Sequence, residues 1–288
     1  LPEEFNMFHF LKIKICFFIF IALFSFNKLA YAVNAEPSNA CNATGNLFNT
    51  GETACRFTPS KYESTIFEMG VCEEHPFLTD DFDRSTCSTT FLATDQTSGF
   101  TADFAESLGG TVTLEGVSTR PANGTYKYPF IILKNRFTLQ GNFTNDSNTY
   151  YIKSDGTVQT NGTDPAADRI SDLVNFGDDT CDGEYLNATV EVGTISGYLT
   201  NTALNKADTS NITGSSPNRT CDNTYVTRLV GIINLSQPFT ITPSTMGMKF
   251  NFNITNYGAQ LFGSSDTPSE AGSGPFSGSF TITDAPAQ

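Results

Sequence analysis

Met248-Lys249-Phe250-Asn251-Phe252-Asn253-Ile254 places four apolar side chains at alternate positions, with Lys or Asn between them. A period of two belongs to a pleated strand, whose successive side chains leave on opposite faces. One apolar and one polar face describe a strand that covers a core on one side and meets water on the other, as antiparallel sheets commonly do. Working outward, residues 60–71, 99–108, 111–117, 136–143, 186–195, 225–234, 238–242 and 277–283 read as further strands between turn signals. Thr125 to Leu133 adds another, with Tyr126, Tyr128, Phe130 and Ile132 alternating. Pro129 within it has no N–H to donate and indicates an edge position or a bulge. Helical periodicity is confined to residues 164–176. There Asp164 can cap, Pro165 suits the first helical position, and Ile170, Leu173, Val174 and Phe176 form an apolar side. Many short strands without strand–helix alternation predict an all-β antiparallel β-sandwich with at most one short helix.

The amino terminus reads as a targeting signal. Lys12 and Lys14 precede an apolar run of about a dozen residues, and Ala30-Tyr31-Ala32 offers small residues where a signal peptidase reads. The run is shorter than the roughly 20 residues that span a bilayer, so cleavage before Val33 is favoured over a retained anchor. Residues 1–32 are thus expected to be a signal peptide with an upstream extension. Residues 33–262 form a single elaborated domain, with an Asn-, Asp-, Thr- and Gly-rich excursion over 145–223. Residues 263–288 are a Gly/Ser-rich linker followed by a final strand or tail.

Charge narrows the function classes. The chain of 288 residues has 16 Lys+Arg against 30 Asp+Glu, a net of -14. Without Lys12, Lys14, Lys28, Glu3 and Glu4 the balance is 13 against 28, or -15. Such a surface repels the phosphate backbone and anionic lipid, so no nucleic-acid partner is expected and, after signal cleavage, no membrane. Loss of Cys16 with the leader turns seven cysteines into six: Cys41, Cys55, Cys72, Cys87, Cys181 and Cys221. An even count in an exported chain reads as disulfides, with 15 pairings open. Proximity favours Cys41–Cys55, Cys72–Cys87 and Cys181–Cys221. The expected location is periplasmic, cell-surface or extracellular.

Amphipathic segments carrying Phe100 and Phe104, then Val112 and Leu114, lead to Pro121-Ala122-Asn123-Gly124-Thr125-Tyr126 and the apolar Phe130-Ile131-Ile132-Leu133. This series resembles bacterial exported prealbumin-like or immunoglobulin-like domains, in which a turn of Pro-Ala-Gly-Thr-Tyr type precedes a core strand. Asn123 is an extra residue in that turn. The segment from Pro238 to Thr242, followed by Met248 to Ile254, is similar to their later strands. The resemblance covers about 60 residues and implies an immunoglobulin-like or prealbumin-like sandwich of the surface-associated kind. It brings no catalytic residues.

Site chemistry is sparse. His75 is the single histidine after the leader and sits in Cys72-Glu73-Glu74-His75-Pro76, where a solvated loop residue is expected rather than a catalytic base. Asp80, Asp81 and Asp83, and Asp178, Asp179 and Asp182, lie in turn-forming segments that could supply oxygens to calcium, the one cofactor considered. The alternative for both groups is a solvated acidic turn. Ten Asn-x-Ser/Thr sequons follow the leader, at Asn42, Asn123, Asn142, Asn145, Asn161, Asn187, Asn211, Asn218, Asn234 and Asn253. They fit a glycosylated eukaryotic or viral ectodomain, and also an Asn/Thr-rich bacterial sandwich in which they carry no meaning, the reading the resemblance favours. The expected function is a non-catalytic adhesion, glycan-binding or assembly module whose partner is a glycan or another surface protein. Tyr150-Tyr151 or Tyr257 are the candidate contact aromatics. The alternative is a secreted hydrolase using paired carboxylates.

Overall fold

The computed structural model describes residues 30–31, 39–165, 167–176, 181, 184–190, 193–215, 219–264, 267–274 and 277–284. These residues form an all-β, sandwich-like structure of several antiparallel sheets with no closed barrel. The largest sheet has nine strands. Along its main path run β13 (Glu184–Val190), β14 (Gly193–Thr200), β17 (Arg228–Leu235), β8 (Tyr128–Gln140), β3 (Lys61–Cys72), β4 (Cys87–Ala93) and β6 (Gly116–Ser118). Off this path, β5 (Phe100–Asp103) pairs with β3 and β12 (Arg169–Asp172) with β8.

A second sheet joins β1 (Ala30–Tyr31), β22 (Ser277–Asp284) and β19 (Thr245–Asn253). Strands β2 (Ala54–Phe57), β20 (Ala259–Ser264) and β21 (Thr267–Ser273) form a third, and β9 (Asn142–Asn145), β10 (Asn148–Ile152) and β11 (Val158–Thr160) a fourth. Two pairs, β7 (Gly124–Tyr126) with β18 (Phe239–Ile241) and β15 (Ile212–Thr213) with β16 (Thr220–Cys221), complete the set. Among the described residues the one helical element is a 3-10 turn, Thr209–Asn211, capped by Asp208. No helix there is long and apolar enough to cross a membrane.

The central strands of the large sheet are buried on both faces, and neighbouring residues of one strand enter different cores. From β8, Ile131, Leu133 and Leu139 face a core shared with Tyr62, Leu199 and Leu229, against which Phe250 and Phe252 of β19 pack. Phe130 and Ile132 face the other way, toward Tyr198, Val230, Ile232 and Phe77. That second core is roofed by the loop between Cys72 and Cys87, which contributes Phe77 and Phe82. A third cluster, including Val71, Phe239, Ile241 and Ile282, closes one end of the sandwich. A fourth, with Phe57, Tyr150, Ile152, Ala259 and Leu261, joins the third and fourth sheets.

Three disulfides hold the structure: Cys41–Cys55, Cys72–Cys87 and Cys181–Cys221. Cys72 and Cys87 stand opposite each other in the β3–β4 ladder.

Several sequence expectations change. Residues 169–172 form a strand and not a helix: β12 pairs with Arg136–Leu139 of β8. The partner β17 reaches only as far as Lys134, so the rest of that edge of β8 is open to β12. The Arg136–Asp172 ion pair, at 2.5 Å, secures the match. A short apolar stretch with a ready ladder gains more from pairing than from a marginal isolated helix. The stretch 145–223 is not simply an excursion, because β14 lies between β13 and β17 inside the main sheet. Nor is 263–278 a linker, since β21 pairs along β20. Pro129 lies in a central strand, at its second position, one residue before pairing with β17 begins at Phe130. Its missing N–H therefore falls where the ladder opens. Ala30 and Tyr31, within the expected leader, pair with Thr281 and Phe280 of β22.

Candidate functional site

The strands expected over 99–108 and 111–117 shorten to Phe100–Asp103 and Gly116–Ser118. Residues 104–115 between them form an irregular segment turning through Gly109, whose φ of 73° suits glycine. This segment, the floor made by β3 and β4, and the facing strand β19 enclose a cleft between the two layers. It comprises two adjoining cavities of about 460 Å³ and about 540 Å³, whose walls share Met69, Leu114, Met248 and Phe250. Phe91 completes the first; Phe104 and Phe252, stacked at 4.5 Å, complete the second. Two apolar side chains on the rim are largely in water, Met246 at 73% exposure and Leu108 at 50%.

The walls have a distinct composition. Of the four methionines, Met7 lies in the expected leader and the other three, Met69, Met246 and Met248, all line the first cavity. Unbranched, polarizable Met side chains adapt to irregular apolar shapes, which suits a binding surface. Among the described residues neither cavity is lined by an Asp or Glu, and the charged residues on the walls are Arg120 and Lys249. Arg120 is fixed by hydrogen bonds from Nε to the Thr245 carbonyl (3.3 Å), from Nη1 to the Pro121 carbonyl (3.0 Å), and from Nη2 to Asn123 Oδ1 (2.7 Å) and the Thr242 carbonyl (2.5 Å). All four acceptors are neutral. Among the described residues it makes no ion pair.

A second polar cluster lies on the opposite face of the large sheet, under the Cys72–Cys87 loop. His75 is half-buried, not solvated, and packs edge-on to Tyr128 and Tyr198. Its Nδ1 accepts the Phe77 amide proton at 3.2 Å, and Nε2 stands 3.4 Å from the Tyr198 hydroxyl. With Nδ1 occupied, the proton of the neutral ring sits on Nε2 and points to that oxygen. Burial lowers the pKa of His75 and pushes that of Tyr198 up to about 12. Lys206 bridges Glu184 (3.2 Å) and Asp80 (3.3 Å) nearby. Both ring nitrogens are engaged within the protein, the arrangement of a packed histidine rather than of a base facing a cavity. The same loop is anchored by Arg84, whose guanidinium meets the buried Glu68 carboxylate through two bonds of 2.6 and 2.8 Å.

The sequence-predicted calcium ligands point to separate partners. Asp80 pairs with Lys206, Asp81 accepts from Asn205 Nδ2, and Asp83 accepts from the amide and hydroxyl of Ser85. Asp178, Asp179 and Asp182 lie outside the described residues. Among the described residues no group of three or more His, Cys, Asp or Glu could hold a metal ion. The candidate contact aromatics Tyr150 and Tyr257 are each 5% exposed and belong to the interior, because β10 faces the third sheet and Tyr257 ends a tight turn. In the strand over 277–283, β22 pairs with β19 along its length and, on its other side, with β1 at Phe280 and Thr281.

No protein-family model, curated protein or solved structure matches the chain. The residues of the cleft were not singled out by sequence reasoning. The available signal was methionine itself, scarce in the chain and doubled around Gly247.

Proposed function

We propose that the chain is an exported, non-catalytic binding module, and that its working surface is the cleft between β19 and the large sheet. Three intramolecular disulfides support export, because such bridges persist in oxidising compartments. The observation that carries the binding role is the convergence of Met69, Met246 and Met248 on one apolar cleft with an exposed apolar rim. Each cavity is within the roughly 300–1,000 Å³ range of small-molecule sites. The paired-carboxylate hydrolase finds less support, as among the described residues neither cavity has an acidic wall residue. On this reading the module acts at a cell surface, in a periplasm or outside the cell by retaining an apolar ligand.

The neutral dye N-phenyl-1-naphthylamine tests this. Saturable binding to the folded, oxidised protein is expected, weakened by Met246→Glu at the rim and by Leu114→Glu in the wall. Non-saturable binding, or binding indifferent to both substitutions in folded protein, would refute the assignment.

A further inference from the structure

The charge of the walls goes further and, resting on the binding role above, identifies the ligand class. We infer that the cleft takes a long-chain carboxylate, its unbranched tail lying between Met69, Leu114, Met248 and Phe250 and its carboxylate meeting Arg120. Among the described residues no Asp or Glu lines either cavity, while Arg120 and Lys249 do. An acidic protein whose described carboxylates stay off the walls of this cleft, and which puts cations there, presents a surface complementary to an anionic amphiphile.

Arg120 is the head-group residue of the two. Its planar fork is already held by four hydrogen bonds, so little side-chain freedom is lost when an anion arrives. Those bonds go to neutral oxygens and leave the positive charge uncompensated. They also leave one of the guanidinium's five N–H donors, on Nη1, unassigned. One charge and one remaining donor fit a monoanionic head; a doubly charged phosphate would ask for more. Lys249 is exposed on a flexible stem at the far cavity and has no comparable fixation. The tail is assigned from shape and chemistry. The two cavities adjoin at Met69, Leu114, Met248 and Phe250, and this shared apolar wall accommodates a flexible chain without a set outline.

The experiment uses the full oxidised chain labelled with methyl-carbon-13 methionine, because the three cleft methionines then report directly. Sodium laurate, 1-dodecanol and sodium acetate are titrated in turn. Laurate is expected to shift the Met69, Met246 and Met248 methyl signals saturably, and acetate to shift none. Dodecanol should bind about ten-fold more weakly than laurate, the difference a charge-assisted hydrogen bond supplies. Arg120→Gln should remove that preference and leave dodecanol binding unchanged, whereas Lys249→Gln should leave laurate binding within about two-fold. Equal affinity for laurate and dodecanol in the wild type, or a preference that survives Arg120→Gln, overturns the carboxylate assignment and leaves the apolar binding role standing. Methionine signals that respond to neither chain overturn both. If Arg120→Gln does not fold, the wild-type laurate-to-dodecanol ratio decides alone, a ratio near one being the adverse result.

Discussion

Arg84→Ala tests how the Cys72–Cys87 loop is held over the second core. Glu68 on β3 has a side chain only 6% exposed, and its carboxylate receives the Arg84 guanidinium at 2.6 and 2.8 Å and the Thr89 hydroxyl at 2.6 Å. Hydrogen bonds to a charged group contribute about 1.5–3 kcal/mol each, and removal of one partner leaves the other charge buried. Two such bonds would suggest up to about 6 kcal/mol. The Arg84 side chain is 49% exposed, however, so water screens its end of the pair and can take its place. Thr89 also keeps its bond. With that discount, and adding the lost contact of Arg84 with the Phe82 ring at 5.3 Å, Arg84→Ala should cost about 2.5 kcal/mol of unfolding free energy. For a domain of this size that is a fall of about 5–10 °C in melting temperature. Urea denaturation of the oxidised protein measures it. Glu68→Gln combined with Arg84→Met should recover part of the loss, since no charge is then left buried. A cost below about 0.5 kcal/mol for Arg84→Ala, the level of an ordinary surface pair, would refute the reasoning.

Other expectations follow from the same geometry. Because burial lowers the His75 pKa below its unfolded value of about 6.5, stability from the neutral ring is fully present above that pH and is lost as pH falls through the folded pKa. Wild type should therefore lose more stability than His75→Phe between about pH 7.5 and about pH 5, measured as the difference in urea midpoints; parallel losses would contradict the assignment. Gly70→Ala would set a Cβ 2.5 Å from the Phe130 ring and 2.6 Å from the Ser88 carbonyl oxygen. A loss of about 1–3 kcal/mol is expected, and a neutral result in the same denaturation assay would show that β3 and β4 yield more than their packing implies. In a glycosylating host, glycopeptide mass spectrometry should find glycan at the exposed Asn123, Asn142 and Asn253. Asn145 should be bare, being buried with Nδ2 donating to the Asn42 and Gly45 carbonyls; an occupied Asn145 on folded protein would contradict this.

What the sequence made legible was local. The alternation at 248–254 became β19, and the cysteine spacings match the bridges that form. Local signals misled where a distant partner decided the outcome. Leu173 and Phe176, set at helical spacing from Ile170, reach the core from a strand and its exit because β8 had an open edge for β12. The Gly and Ser of 263–278 suggested a flexible connection, but backbone pairing to β20 needs no apolar side chain from them. The cleft was the least legible part. Its wall residues come from positions 69, 114, 120 and 246–250, and only the sheet order brings them together. Its mark in composition, three methionines gathered on one wall, can be seen only once those positions are known to be neighbours.

The burial of the large sheet's central strands on both faces bears on how this protein can vary. Strands β3, β8 and β17 present few side chains to solvent, so most positions in them answer to one packed core or another. A substitution there rarely has a neutral surface to fall on. Tolerance to change is instead concentrated in the edge strand β6, all of whose residues are exposed, and in the connecting segments. The segment 104–115 is one of these, and it also forms a wall of the cleft. On the proposed binding role, altered ligand preference can therefore arise by changing this segment while the strands that keep the chain folded stay as they are.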